Sequence, residues 1–449
     1  MLPHNSIKNQ LPTETYATFQ ELKILPALKS VGITKLKGFS TAVLFVFLFA
    51  MNFKGKAIFR QVTGREKAEL MGKDTLYRFM NAPHYNWRRF LLKVSAFAIA
   101  KLHRLTSVTH HVRVLIVDDS SYYRNRSKQV NNLAWQFDHA KHTAYKGFRL
   151  LTLGFSDGTS FVPVDFALLS SKNQLAQDTL DKRTAGGRRA KEATTKSTDL
   201  VTEMVARALN QGIYATHVLM DKWYTKTKLV TQLNDLGIHV IGMVMNSKTK
   251  YLYQGQLVTL RALYKKSVIV DRSSAIISRV TAQLANGSPI QIVFVKNSRK
   301  QSQWLAILTT DIDLSAQEVV KTYRVRWDIE TFFKAAKSLL KLAKETQARN
   351  YNALICHTTI VFIRYIILSW QQRCSNDERA LGGLFYELCD ELPELDWTHA
   401  LAELCEILLD VCAQVNLRTR KLISKQLLNW YAILPSYIKA CLPELVCES

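Results

Sequence analysis

Four residues near position 330 have the types and spacing needed for chemistry at a phosphorus atom. Tyr323, Arg326, Glu330 and Lys337 follow one another at intervals of 3, 4 and 7 residues. At roughly 100° per residue, a continuous helix would carry all four on one face about 60° wide. Val325, Trp327, Ile329, Phe332, Leu339 and Leu340 fall between them and would pack the other sides. A carboxylate flanked by a guanidinium, an ammonium and a phenol suits phosphodiester cleavage: the acid holds a cation at the reacting phosphorus, and the bases hold neighbouring phosphates. The competing reading is an ordinary salt-bridged surface stripe.

Two further acids stand where strands should end. Asp118 follows the β-branched run Val112 to Val117, and Asp221 follows Tyr214 to Met220. Three strands before the first long helix and a fourth after it predict a mixed sheet in which strands one and four are central neighbours. Their ends would then bring the two carboxylates together, and the later helix would supply Glu330. Hard divalent cations take such oxygen ligands. Three clustered carboxylates repel one another without a cation, so the set implies two Mg²⁺ or Mn²⁺ ions roughly 3.5–4 Å apart. One Asp at a strand end is ordinarily a turn or cap residue, and Asp119 is the alternative first acid. Asp118 is preferred because it lies two residues before the Ser120 hydroxyl.

The elements that must position these groups follow from the pattern of the whole chain. Its 449 residues hold 61 Lys and Arg against 36 Asp and Glu, a net charge of +25. Such an excess points to nucleic acid or an anionic membrane surface. The most apolar run, Ala42 to Met51, is half the roughly 20 residues a span requires, so a buried helix is expected, with no membrane partner and no export signal. Hydrophobic residues make up 47%, and 17 Gly with 9 Pro exclude low-complexity or collagen-like chains. The seven cysteines all follow residue 350, without zinc spacing, and read as free thiols.

Residues 1–110 read as a helical DNA-binding region, in which Lys73 to Asn81, with Asp74 as N-cap, could enter a groove or simply pack a bundle. Residues 111–237 form the first part of an α/β core, 238–317 a β-rich insertion, 318–350 the helix of the Tyr-Arg-Glu-Lys pattern, and 351–449 a C-terminal helical region. The basic stretch Asp181 to Lys191 reads as a mobile loop that contacts phosphate.

The Tyr323, Arg326, Glu330 and Lys337 pattern, in the setting YRVRWDIETFFKAAK, resembles the YREK signature of IS4-family DDE transposases at all four positions. VLIVDDSSYYRNRSK and HVLMDKWYTKTKLV are similar to that family's segments around the first and second Asp, and the resemblance covers about residues 110–350. It implies an RNase H-like mixed-sheet core with an inserted β-rich subdomain, flanked by helical regions. The 109 residues from Asp221 to Glu330 agree with such an insertion and exclude the short spacing of retroviral integrases. The resemblance further implies cut-and-paste DNA transposition with a hairpin intermediate, with Asp118, Asp221 and Glu330 holding the ions. Tyr323, Arg326 and Lys337 would grip DNA near the cut, and Lys334 would assist. Trp304 or Trp223 would stack on a flipped base. Double-stranded DNA, as element terminal inverted repeats and target, would be the partner, in a homodimeric synaptic complex at the nucleoid in the cytoplasm. The alternatives are an RNase H-like nuclease or resolvase, and a catalytically inactive DNA-binding protein.

Overall fold

The β-branched run becomes strand β1 (Val114–Tyr123), from which a sheet extends on both sides. The structure is a computed structural model that describes residues 10–54, 73–105, 112–138, 141–171, 181–270, 275–297, 303–344, 346–374 and 381–433. Five helices precede β1: α1 (Thr13–Glu21), α2 (Ile24–Ser30), α3 (Thr41–Ala50), α4 (Lys73–Asn81) and α5 (Trp87–Leu105). The apolar run at Ala42 is α3, capped by the Ser40 hydroxyl accepting from Val43 N. In α4, Leu76, Phe79 and Met80 are buried, so this helix packs the core along that face while Asp74 and Arg78 stay exposed. Asp74 lies within its first turn, not ahead of it.

Strand β3 (Thr143–Ser156) runs antiparallel to β1, and β4 (Phe161–Leu169) antiparallel to β3. The short β2 (Ala134–Asp138) pairs with the early half of β3. After α6 (Ala185–Glu192) and α7 (Ser197–Asn210), β5 (His217–Met220) lies parallel beside β1. After α8 (Thr227–Asp235), β6 (His239–Val244) lies parallel beside β5. The order β4-β3-β1-β5-β6, with an antiparallel meander followed by two parallel strands reached through helices, is an RNase H-like α/β core. It follows from the right-handed crossover preference and from strands buried on both faces, such as β4, in which all nine residues are buried.

The sheet does not stop at β6. Strands β7 (Lys250–Tyr253), β8 (Gln256–Thr259), β9 (Val268–Ile269), β10 (Ile276–Gln283), β11 (Pro289–Lys296) and β12 (Trp304–Thr309), with α9 (Leu260–Lys266) among them, extend it to twelve strands. Because β12 pairs directly with β6, residues 239–244 belong to the core strands, and the inserted β structure is grafted edge to edge onto them. The chain closes with α10 (Ala316–Arg324), α11 (Trp327–Ser338), α12 (Tyr351–Cys374), α13 (Leu381–Gln414) and α14 (Leu417–Ile433).

One apolar core runs from Leu11 to Leu388, joining the N-terminal helices to the sheet. Its centre is α12, whose 24 residues are long and apolar enough to cross a membrane but whose apolar window is wholly buried in the protein. Arg364 on this helix is fully buried and donates to the carbonyls of Phe49, at 2.9 Å, and Leu48, which closes the C-terminal end of α3.

The stretch Asp181 to Lys191, expected as a loop, is mostly helix. The Thr184 hydroxyl caps α6 by accepting from Gly187 N. Gly186 and Gly187 are required by close approach: a Cβ would lie 2.3 Å from Asn352 Oδ1 and 2.1 Å from the Asp181 carbonyl respectively. Arg189 from this stretch is buried, its guanidinium 4.5 Å from the Phe166 ring centroid and 3.6 Å from Asp165. The Asp165 carboxylate explains the helix. It is fully buried and receives Arg88 of α5 at 3.0 Å and Arg207 of α7 at 2.8 Å, while Arg88 also holds Glu192 at 2.6 Å. These ion pairs tie α5, α6 and α7 to β4.

Candidate active site

Register brings the first two acids together. Strands β1 and β5 are paired in parallel with Val117 opposite Met220, so the next residues on each, Asp118 and Asp221, emerge side by side at the same edge of the sheet. The Asp221 carboxylate accepts from the backbone N–H of Trp223, at 2.9 Å, and of Tyr224, at 3.1 Å, which fixes the turn leaving β5.

Strand alternation then separates Asp118 from Asp119. Asp118 and Ser120 share the face covered by α11, where Arg326 reaches Asp118 at 3.1 Å and Lys337 donates to Ser120 Oγ at 2.5 Å. Asp119 turns to the other face, where it accepts from the Tyr224 hydroxyl and pairs with Arg149 at 3.3 Å. The ambiguity left by two adjacent acids is thus a difference of environment. Asp118 stands with the motif residues, and Asp119 has its own phenol and guanidinium.

The motif does not lie on one unbroken helix. Tyr323 lies in the last turn of α10, Arg326 is the N-cap of α11, and Glu330 and Lys337 lie within α11. Between them the backbone bonds shorten to three-residue steps: Val325 N to Thr322 O, Arg326 N to Tyr323 O and Asp328 N to Val325 O. Both junction residues keep αR dihedrals, so the break is a tightened turn, and the 100° arithmetic fails only across it. The side chains still converge. Arg326 bridges two acids, donating to Glu330 at 2.5 Å as well as to Asp118, and its guanidinium lies 5.9 Å from the Tyr323 ring centroid. The capping box of Ser315 and Glu318 starts α10, and Ser156 donates to Asp328 at 2.6 Å, pinning the start of α11 to β3.

The electrostatics follow from this crowding. Burial pushes the Asp118 carboxyl up to about 7; Arg326 pulls it down, while the neighbouring Asp221 and Asp119 push it up again. Burial pushes the Tyr323 phenol up to about 12 and lowers the Lys337 ammonium below its ordinary value. Burial works against the Arg326 guanidinium, but Tyr323 and the two carboxylates raise it above its ordinary range.

Asp118 and Asp221 are adjacent hard oxygen donors in an acid-rich setting, which fits a divalent ion held between them. Glu330 joins the pair through Arg326, not by direct approach, and among the described residues no three of His, Cys, Asp and Glu stand close enough to share one ion. The donor set therefore suits an ion at Asp118 and Asp221, with Glu330 engaged by a base.

Trp304 is not brought to the acids. It begins β12, three strands from β1, half-buried in a cluster where Tyr264 stacks on it at 5.0 Å and Phe294 meets it edge-on at 5.1 Å. Trp223 is the exposed one. It is 48% accessible, has Lys226 Nζ 5.7 Å from its ring centroid, and with Arg149 and Lys226 lines a 450 Å³ cavity. Arg149 escaped the sequence reading. Its signal was a cation three residues after Lys146 at the start of the apolar run of β3. Lys334 is exposed on the outer side of α11.

Residues 63–265 match the family model of the DDE superfamily endonucleases. This stretch includes Asp118 and Asp221 and ends before Glu330. No curated protein matches the chain significantly. Among solved structures, the Drosophila P element transposase strand transfer complex is similar at 10% identity over 86% of this chain and 71% of that one, with a TM-score of 0.20, too weak a likeness to carry any residue across. Over that stretch, just under half of the chain, the protein is similar to DDE superfamily endonucleases.

Proposed function

We propose that the protein is an IS4-type DDE transposase that excises and inserts DNA by cut-and-paste. The observation that carries this is the parallel register of β1 and β5, which makes Asp118 and Asp221 neighbours, with Glu330 linked to Asp118 through Arg326. Asp118 and Asp221 would hold a divalent ion, Mg²⁺ or Mn²⁺, and Glu330 would complete a second site once Arg326 turned to a phosphate. Such ions would supply Lewis-acid chemistry at the reacting phosphate.

The chain's own residues do the rest. Arg326 exchanges its two carboxylates for the oxygens of the phosphate being cut. Lys337, directed along β1 at Ser120, neutralises the next phosphate, and the Tyr323 phenol stays protonated as a donor beside Arg326. In the first cut, water oxygen bonds to phosphorus and the element's 3′-oxygen leaves with a proton. That 3′-OH attacks the opposite strand, closing a hairpin and expelling the flanking 3′-oxygen. A second water reopens the hairpin, and the freed 3′-OH joins target DNA with loss of the target's own 3′-oxygen. Recognition of terminal inverted repeats and pairing of two ends call for a homodimer on DNA, working at the nucleoid in the cytoplasm. Trp223, exposed beside Asp221, is the better placed of the two candidate tryptophans to meet a base.

The test is divalent-ion-dependent processing of a labelled duplex carrying the element's own end. Wild type should give a hairpin, and Glu330→Ala should give none. Cuts without hairpin or strand joining would make the protein a nuclease or resolvase. Binding without cleavage by either protein would make it an inactive DNA-binding relative.

A further inference from the structure

A second basic site lies at the far end of the seam between β1 and α11. There, residues 123–130, at and beyond the end of β1, and residues 343, 344, 346, 347 and 349, which follow α11, wall an open cleft of 870 Å³. Its described lining contains Arg124, Arg126, Lys128, Lys344 and Arg349 and no carboxylate. Glu345 of the same segment lies outside the described residues.

The two walls are fastened together. Arg124 is 8% exposed and uses its planar fork on two carbonyls of the other wall, Thr346 O at 2.7 Å and Ala348 O at 2.9 Å, with Nε left without a hydrogen-bond partner. Asn131 N donates to Arg349 O at 3.1 Å, and the second wall is turned by Lys341 and Ala343, both in the left-handed region at φ 51° and 65°. Two non-glycine residues in that conformation cost stability and persist where the surroundings hold them. A merely solvated charge run needs neither a buried arginine clip nor such a turn. Arg126, Lys128, Lys344 and Arg349 remain exposed, four cations fixed on a built frame.

Direction supplies the ligand. From Asp118 to Arg124 is six residues of strand, about 20 Å at 3.3 Å per residue. Phosphates on one strand of duplex DNA advance about 3.4 Å per base pair, so the cleft lies about six base pairs from the acids. Arg326 stands at the acid end of this seam, on Asp118, and Lys337, on Ser120, stands between.

We infer that this cleft grips the phosphate backbone of duplex DNA about six base pairs from the phosphate being cut, with Arg126 and Lys128 as contacts and Arg124 as the clip that sets them. The inference rests on the proposed DNA-cleaving function and adds a clamp that fixes the substrate's path. Spread cations at this separation position a duplex and carry no sequence information.

The experiment measures binding of a labelled 30-base-pair duplex across a salt series for wild type, for Arg126→Ser with Lys128→Ser, and for the charge-matched control Lys248→Ser with Lys250→Ser, just before and at the start of β7. The cleft variant should lose on the order of tenfold or more in affinity, and its salt slope should fall by about 0.9 for each phosphate no longer neutralised. The control should keep the wild-type slope. End-bearing duplexes trimmed to three base pairs on one side of the cut should bind wild type more weakly than those keeping ten, and the cleft variant should bind both alike. An unchanged slope in the cleft variant, or equal losses in cleft variant and control, would overturn the clamp while leaving Glu330-dependent cleavage intact. Absence of any duplex binding by wild type would remove the clamp together with the function it rests on. Far-ultraviolet dichroism and urea midpoints equal to wild type would show that the variants fold.

Discussion

Two carboxylates in this protein stand among arginines, and they behave in opposite ways. Asp165 is fully buried between Arg88, Arg189 and Arg207, and these cations hold its carboxyl below the ordinary range although burial alone would raise it. Asp118 keeps a side chain 19% exposed and shares its one arginine, Arg326, with Glu330, while Asp221 and Asp119 crowd it. Its carboxyl rises to about 7. The local ratio of charges separates the two. Around Asp165, three guanidiniums meet Asp165 and Glu192, and the surplus is positive enough that burial and Arg88 push Arg189 down to about 10. Around Asp118 the surplus is negative, so its anionic form is unsatisfied by the protein alone. A saturated cluster of this kind binds helices together, whereas an acid-rich one is left to attract a cation from outside.

The comparison breaks most visibly at Asp165. Replacing it with Asn leaves three buried or half-buried arginines short of a carboxylate, and the loss should be about 3–5 kcal/mol in urea unfolding, since removing one partner strands the other charges. If Asp165→Asn unfolds at the wild-type midpoint, the cluster is not what ties α5, α6 and α7 to β4. The same residue sets an acid limb. Its folded-state pKa is depressed, so its contribution is present above the unfolded value near 3.9 and is lost as pH falls through the folded value. Wild type should therefore lose stability below about pH 4 more steeply than Asp165→Asn, which lacks that proton uptake.

Much of the geometry of the candidate site was readable because strand alternation and strand ends are local. Asp118 and Asp221 needed only the β-branched runs before them, and the Ser120 spacing selected the acid that shares a face with Arg326. The Tyr323 to Lys337 stripe was readable up to its break, which leaves no compositional trace because Val325 and Arg326 keep helical dihedrals and only the hydrogen-bond step shortens. What escaped depended on partners distant in the chain. Residues 181–191 look like a solvated basic loop until Asp165 appears as the buried partner of Arg189. The central helix α12 is buried on all sides, so it carries little periodicity to mark it as the pillar of the core. The continuity of the sheet rests on β6 pairing with β12, a pairing that spans more than sixty residues and that no local pattern announces. Trp304 shows the same limit, because its stacking on Tyr264 belongs to tertiary packing.

The finer test of the comparison is Asp118→Asn. A carboxyl whose folded pKa is raised stabilises the fold fully below the unfolded value near 3.9, and that contribution is lost as pH rises through about 7. The native state binds the extra proton in that window, so wild-type stability should decline from pH 4 toward pH 8 by this group's share. Asn keeps the shape and an acceptor for Arg326 but carries no charge to desolvate among Asp221 and Asp119. The variant should match wild type at pH 4 and exceed it by about 1 kcal/mol or more at pH 8 in metal-free urea unfolding, while losing divalent-ion-dependent cleavage. Added Mg²⁺ should narrow the gap by stabilising wild type alone, because binding to the native state shifts its unfolding by mass action. A variant less stable than wild type at every pH would mean that the Asp118 and Arg326 pair is structural, like the pairs around Asp165, and that the acid-rich edge is not held ready for a cation.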